Sequence, residues 1–126
     1  MQPRILSATT IINDKVVNLR NENLGYIDEL MIDRNSGRIA YAVLSFGGFP
    51  GTRDKLFAVP WEALKVDSEN KQIILDVDPE TLKAAPGFDQ NNWPDMTTPE
   101  WHSSIHAYYG FEPYWEKNSV GSRQVA

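Results

Sequence analysis

An Asp-Arg-Asn-Ser-Gly turn between two long apolar runs constrains this chain more than anything else in it. From Leu24 to Pro60 the sequence reads LGYIDELMIDRNSGRIAYAVLSFGGFPGTRDKLFAVP. Asp33 stands at the first turn position and Gly37 where a positive φ is wanted, so the runs on either side pair as a hairpin. The rest of the chain is too short to build a core elsewhere.

The strand before this turn breaks the period of two. Gly25 and Ile27 share one parity, whereas Leu30 and Ile32 share the other. One extra residue near Asp28-Glu29 repairs the pattern, which is what a β-bulge does, and bulges bend strands into barrel corners. The alternative is a flat strand with apolar residues on both faces, covered by a partner chain. Gly25, just inside the strand, permits a bend or a close backbone approach. The strand after the turn, Arg38 to Phe46, is apolar on both parities, so both its faces are buried. Its small Ala40 and Ala42 predict that something packs closely over the second face.

Gly47 to Asp54 is a glycine-rich excursion that includes Gly48 and Phe49. It lacks the Gly-Lys-Ser/Thr ending of a phosphate-binding loop, and a strand follows it rather than a helix. It reads as a hairpin loop whose Phe49 is available to a partner. Pro60 closes the strand Lys55 to Val59, and Trp61 opens one helical turn. Adding Lys15 to Leu19 and a last hairpin, Lys65 to Asp67 with Gln72 to Val77, gives about six short strands at barrel-like spacing. Residues Met1 to Thr10 read as a polar arm or a single turn.

The composition shifts at Asp78. Asp78-Pro79-Glu80 and Thr98-Pro99-Glu100 both carry helix-start chemistry, a capping side chain followed by proline at the first helical position. Between the two helices runs an irregular strap with Phe88, Trp93 and Met96 as anchors. The second helix ends at Gly110 and places Trp101, Ile105 and Tyr108 on one face. A polar tail begins at Lys117. The division is therefore a barrel over residues 1–78 and a helical extension over 79–126.

Charge and composition narrow the function. A net charge of −5 with no basic run argues against phosphate-backbone binding. With no cysteine there is neither disulfide nor thiolate chemistry, which fits a reducing cytoplasm. The longest apolar run, Ile39 to Phe46, is far below the ~20 residues of a membrane-spanning helix. No signal-peptide core is evident at the N-terminus.

Candidate chemistry is sparse. His102 and His106, the only histidines, lie four apart on a helix and could face one metal. They lack the adjacent glutamate of a zinc hydrolase motif, and a polar helix face is the simpler reading. Asp28, Glu29 and Asp33 cluster near the bulge; Asp33 has a turn to stabilise and the other two fit the solvated side of a bulge. Trp93 and Trp101 are assigned to packing. Tyr109, Phe111, Tyr114 and Trp115 crowd the C-terminal end, and aromatics of this kind are enriched at interface hot spots.

The order of Gly25-x-Ile27, Leu30-x-Ile32-Asp33, Gly37-x-Ile39, the apolar strand to Gly48, and Val59-Pro60-Trp61 resembles the PRC-barrel domain over roughly Ile5 to Val77. That family is similar to the cytoplasmic domain of the photosynthetic reaction-centre H subunit and to the C-terminal domain of a ribosome maturation factor. The strap with Gly87-Phe88-Asp89 and Asn92-Trp93-Pro94 resembles an extension of stand-alone bacterial members. The resemblance implies a mainly β fold, a small, strongly bent antiparallel barrel, with the helical extension packed on it. It also implies a protein-binding or assembly module, often dimeric, and supplies no catalytic residue, cofactor or metal ligand.

The expectation is thus a non-enzymatic, self-associating interaction module of the cytoplasm with an unidentified protein partner. Two alternatives stay open, a peripheral photosynthetic or electron-transfer assembly factor at a membrane and a ribosome or RNA-maturation factor. The interaction candidates are Phe49, Tyr109, Phe111, Tyr114 and Trp115. The structural positions are Gly25, Asp33, Gly37, Gly48, Pro60 and Trp61.

Overall fold

The computed structural model describes residues 4–47 and 55–116. A short helix α1, Ala8–Ile11, leads into six strands: β1 Lys15–Val17, β2 Asn23–Ile32, β3 Ile39–Phe46, β4 Lys55–Pro60, β5 Leu64–Asp67 and β6 Gln72–Leu75. Helices α2, Pro79–Lys83, and α3, Pro99–Tyr109, follow the strands. The strands form one curled sheet in the order β4-β3-β2-β1-β6-β5, a half-barrel. Its pairs are antiparallel except β1 with β6, which run parallel, the one departure from the all-antiparallel expectation. A single 3-10 turn, Trp61–Ala63, carries the chain from edge strand β4 to edge strand β5.

The curl originates in β2. Its buried residues are Leu24, Ile27 and Leu30, a spacing of three that a regular strand cannot hold on one face. Two bulges restore it. The register with β3 shifts between Ile27 and Glu29, at the Asp28-Glu29 position that the parity break indicates. A second shift, on the β1 side between Lys15↔Tyr26 and Val17↔Asn23, falls at Gly25. Sequence parity missed that one because it treated Gly25 as facing with Ile27. Gly25 has a φ of 98°, and a Cβ there would overlap the carbonyl oxygen of Ser45. Only glycine meets both conditions. A third shift, between Met31 and Ile32, turns Ile32 outward, where it is 56% exposed.

β3 is buried on both faces, as its composition predicts. Ala42, Leu44 and Phe46 face the barrel core with Leu24, Ile27, Leu30, Phe57 and Val59. Tyr41 lies on the outer face with Ala58 and Ile105. This corrects the expectation for Ala42: it packs inside the half-barrel, and the covered outer face is the Tyr41 face. The cover is α3. Thr98 caps that helix by accepting from the Trp101 amide at 3.3 Å, and Gly110, at a φ of 80°, ends it. Trp101 and Ile105 pack on the sheet as the helical spacing predicts, but Tyr108 stands at the edge and donates to the Thr81 carbonyl at 2.6 Å.

The strap protects an edge. Phe88 exchanges backbone hydrogen bonds with Leu56 of β4, at 2.8 and 2.9 Å, extending the sheet and removing an unpaired strand edge. Gly87 allows the approach, since a Cβ there would stand 2.9 Å from both the Leu56 carbonyl and the Phe57 ring. Phe88 and Met96 are half-buried, whereas Trp93 lies against Phe88 with ring centres 4.9 Å apart and remains 37% exposed. On the opposite side, α2 buries Leu82 in the barrel core, a contact that contributes about 1.5–3 kcal/mol.

Candidate functional site

Where α3 crosses β3, a buried polar cluster interrupts an otherwise apolar interface. Tyr41 projects from the outer face of β3, and its hydroxyl lies 2.6 Å from Nδ1 of His102 and 3.2 Å from Nδ1 of His106. The sequence places these histidines one helical turn apart, so both can address the same point on the sheet. The polar helix face to which the sequence assigns them is turned to the sheet, and His106 is only 4% exposed.

The carbonyls around the pair fix the proton positions. Nε2 of His102 is 2.7 Å from the Met96 carbonyl, and Nδ1 of His106 is 2.9 Å from the His102 carbonyl. A carbonyl only accepts, so His102 carries its proton on Nε2 and His106 on Nδ1. Tyr41 therefore donates to Nδ1 of His102 and accepts from Nδ1–H of His106. The chain of donors runs in one direction from His106 through Tyr41 and His102 to Met96. Burial pushes the Tyr41 phenol well above its usual range, with the Tyr114 phenol adding to the effect, so it remains a donor. Burial also holds His106 below the ordinary histidine value, opposed by its bond to the His102 carbonyl.

By this pattern His102 has its lone pair on Nδ1, where the Tyr41 hydroxyl donates, and His106 has its own on Nε2. Among the described residues no group of three or more His, Cys, Asp or Glu is placed to hold a metal ion.

Tyr114 and Trp115 close over the cluster. The Trp115 ring meets His102 and His106 edge-on, at 5.1 and 5.3 Å between centres. The preceding Tyr114, 5% exposed, donates to the Asp33 carboxylate and lies 3.3 Å from the Ser36 hydroxyl. The Arg38 guanidinium covers its ring at 3.8 Å, a cation–π contact. Asp33 holds its turn as well, accepting from the Asn35 amide at 3.0 Å and the Ser36 hydroxyl at 3.0 Å. These donors, Tyr114 first, hold its carboxyl below the usual range.

The interaction candidates therefore divide. Tyr114 and Trp115 meet at the β2–β3 turn and the histidines, and Tyr109 packs between α3 and the sheet. Phe111 is exposed. Phe49 and Gly48 lie outside the described residues. Gly25 and Gly37 both have positive φ. Pro60 pairs with Tyr41 across the β3–β4 ladder, and Trp61 packs on the barrel core. Tyr41 was the residue that sequence reasoning missed. A tyrosine in a strand buried on both faces needs a polar partner, a signal for Tyr41 that does not by itself say where the partner lies.

Against the cluster a concavity of about 530 Å³ opens, lined by Met31, Ile32, Arg34, Ala40, Met96 and Trp115, with Tyr41 and His102 themselves in its wall. No helix among the described residues is long and apolar enough to cross a membrane.

Comparison with solved structures returns a candidate 16S ribosomal RNA processing protein from Pseudomonas aeruginosa, 18% identical, with a TM-score of 0.39. The match covers 60% of this chain and 45% of that one. No curated protein matches. Residues 3–82 match the PRC-barrel domain. That span covers the curled sheet from α1 to α2, and the chain belongs to the PRC-barrel domain family.

Proposed function

We propose that this protein is a non-catalytic interaction or assembly module that self-associates and holds another protein. The observation that carries this reading is the state of the buried polar cluster between α3 and β3. Tyr41 bridges His102 and His106, His102 is also bonded to the Met96 carbonyl and His106 to the His102 carbonyl, and Asp33 is engaged by its own turn and by Tyr114. A general acid or base needs a free proton or lone pair aimed at a substrate, and these groups spend theirs on the fold. Large apolar side chains meanwhile stand exposed around the half-barrel, among them Ile32, Tyr26 and Phe111. Such positions suit contact with a partner.

Affinity capture of the tagged chain from its native source tests the partner. A protein retained in stoichiometric amount through washing is expected; recovery of the bait alone would count against the reading. Light scattering tests self-association, with twice the chain mass expected at micromolar concentration.

A further inference from the structure

Tyr114 and Trp115 rest on the half-barrel as a bound peptide rests on a receptor. Helix α3 ends at Gly110, which turns the chain back. Phe111 and Glu112 are exposed, and burial resumes with Pro113 and Tyr114. Among the described residues the docked part, Pro113–Trp115, follows an exposed tether. Its contacts are made with the β2–β3 turn, through Asp33, Ser36 and Arg38, and with the histidines of α3.

The receiving residues have independent support. Asp33 is held by Asn35 and Ser36, and the histidines by Tyr41 and the carbonyls of Met96 and His102. A cradle held in this way is formed before its occupant arrives. It also continues past Trp115 into the concavity lined by Met31, Ile32, Ala40 and Met96. The chain's own next residue, Glu116, is exposed, whereas the greater part of the concavity's surface is apolar.

We propose that this cradle recognises a Pro-Tyr-Trp-type segment of a protein partner, with Pro113–Trp115 as the competing occupant from the chain itself. The proposal rests on the interaction-module reading and names the chemistry of the partner. A tyrosine supplies the hydroxyl for Asp33 and the ring for Arg38. A flat aromatic follows, edge-on to the histidines, and then a large apolar residue enters the concavity. The tether gives the chain's own segment an effective concentration on the order of millimolar. A partner displaces it through the added apolar contact.

The test uses the full chain with Tyr114→Ala and Trp115→Ala combined, and a fluorescein-labelled peptide of sequence Phe-Glu-Pro-Tyr-Trp-Leu followed by anisotropy. The doubly substituted chain is expected to bind at least about tenfold more tightly than the unsubstituted chain, because the competitor is gone. Replacing the peptide's tyrosine by phenylalanine should weaken binding about tenfold, since the bond to a carboxylate is lost. Replacing its leucine by glutamate should also weaken it.

Equal affinity in the two chains, or no binding by the doubly substituted chain up to about millimolar peptide, would overturn the proposal. So would loss of cooperative unfolding in that chain, which would make the segment part of the core. Tyr114→Phe then gives an independent reading: it removes one hydroxyl and should raise peptide affinity in a folded chain, and no rise would refute the competition. A doubly substituted chain that ignores the peptide yet still retains a partner from its native source refutes the cradle alone. Loss of every partner from the unsubstituted chain refutes the module.

Discussion

The hydroxyl of Tyr41 lies 2.6 Å from Nδ1 of His102, joining a sheet residue to a helix residue 61 positions later in the chain. The bond crosses the boundary between the half-barrel and its C-terminal extension, so the buried polar groups of each satisfy those of the other. It also gives the helix a fixed register on the sheet, because sliding α3 by one residue would break the bonds of the Tyr41 hydroxyl to both imidazoles.

Tyr41→Phe should therefore cost more than the value of one hydrogen bond. The phenyl ring keeps the apolar contacts but leaves Nδ1 of His102 without its donor. An unsatisfied buried acceptor costs about 1–3 kcal/mol. Urea unfolding should show that loss, and hydrogen exchange should show it concentrated in α3. An unchanged midpoint would mean that water replaces the hydroxyl.

The same cluster makes stability depend on pH. Burial lowers His106 below the ordinary histidine value of 6.5, so the unfolded chain binds its proton more readily than the folded one. The stabilising contribution is fully present above that value and is lost as the pH falls through and below it. Glu62 and Glu116 moderate the effect by favouring the charged ring, while His102 opposes it. The urea midpoint of the native chain should fall between about pH 7.5 and about pH 5.5, and His106→Leu should flatten that slope. An equal slope in both would assign the dependence to another group.

Much of this arrangement could be read before any coordinates, and the exceptions share a cause. The Asp33–Gly37 turn, the bulge at Asp28-Glu29 and the cap at Thr98 are local features, dictated by residues within a few positions of one another. The covered second face of β3 was legible from its doubly apolar pattern, although not which parity lay inside, because the bulge at Gly25 shifts the count again. The Tyr41–His102–His106 cluster depends on how α3 lies across β3, which no local pattern encodes. The inward turn of Tyr114 was hidden for the same reason: an aromatic near a terminus reads alike whether it meets its own chain or another.

Tyr109 offers a substitution that should stabilise. Its hydroxyl is buried and has no hydrogen-bond partner among the described residues. Its ring packs against both the barrel core and the α3 interface. Tyr109→Phe keeps the ring and removes the unsatisfied group, so the protein should gain about 1 kcal/mol or at least lose nothing. A lower thermal midpoint would show that the hydroxyl holds a buried water.

Gly25→Ala should be among the most damaging changes in the barrel. The φ of 98° is costly for any side chain, and the new methyl group would meet the Ser45 carbonyl of the paired strand. Strain and displacement together should cost about 4 kcal/mol, enough to leave much of a small domain unfolded. Circular dichroism on heating would reveal this. Gly37→Ala makes a useful control: its φ is also positive, but nothing lies within 4 Å of the new methyl, so only the strain of about 1 kcal/mol remains.

Asn18 tests how the first strand is tied to the extension. Its side chain accepts from the amides of Arg20 and Glu22, at 3.0 and 2.9 Å, which shapes the β1–β2 loop. Its amide nitrogen donates to Glu22 Oε1 at 2.9 Å and to the Val77 carbonyl at 3.0 Å. Both recipients are acceptors, so an aspartate there would set oxygen against oxygen at each contact while still serving the loop amides. Asn18→Asp should consequently destabilise by about 2–4 kcal/mol, and more than Asn18→Ala, which removes the bonds without adding a buried charge. Lowering the pH through the carboxylate range should restore part of the loss in the aspartate variant, because the protonated acid regains one donor. If the alanine variant proves the weaker of the two, the loop amides matter more than the tie to Val77.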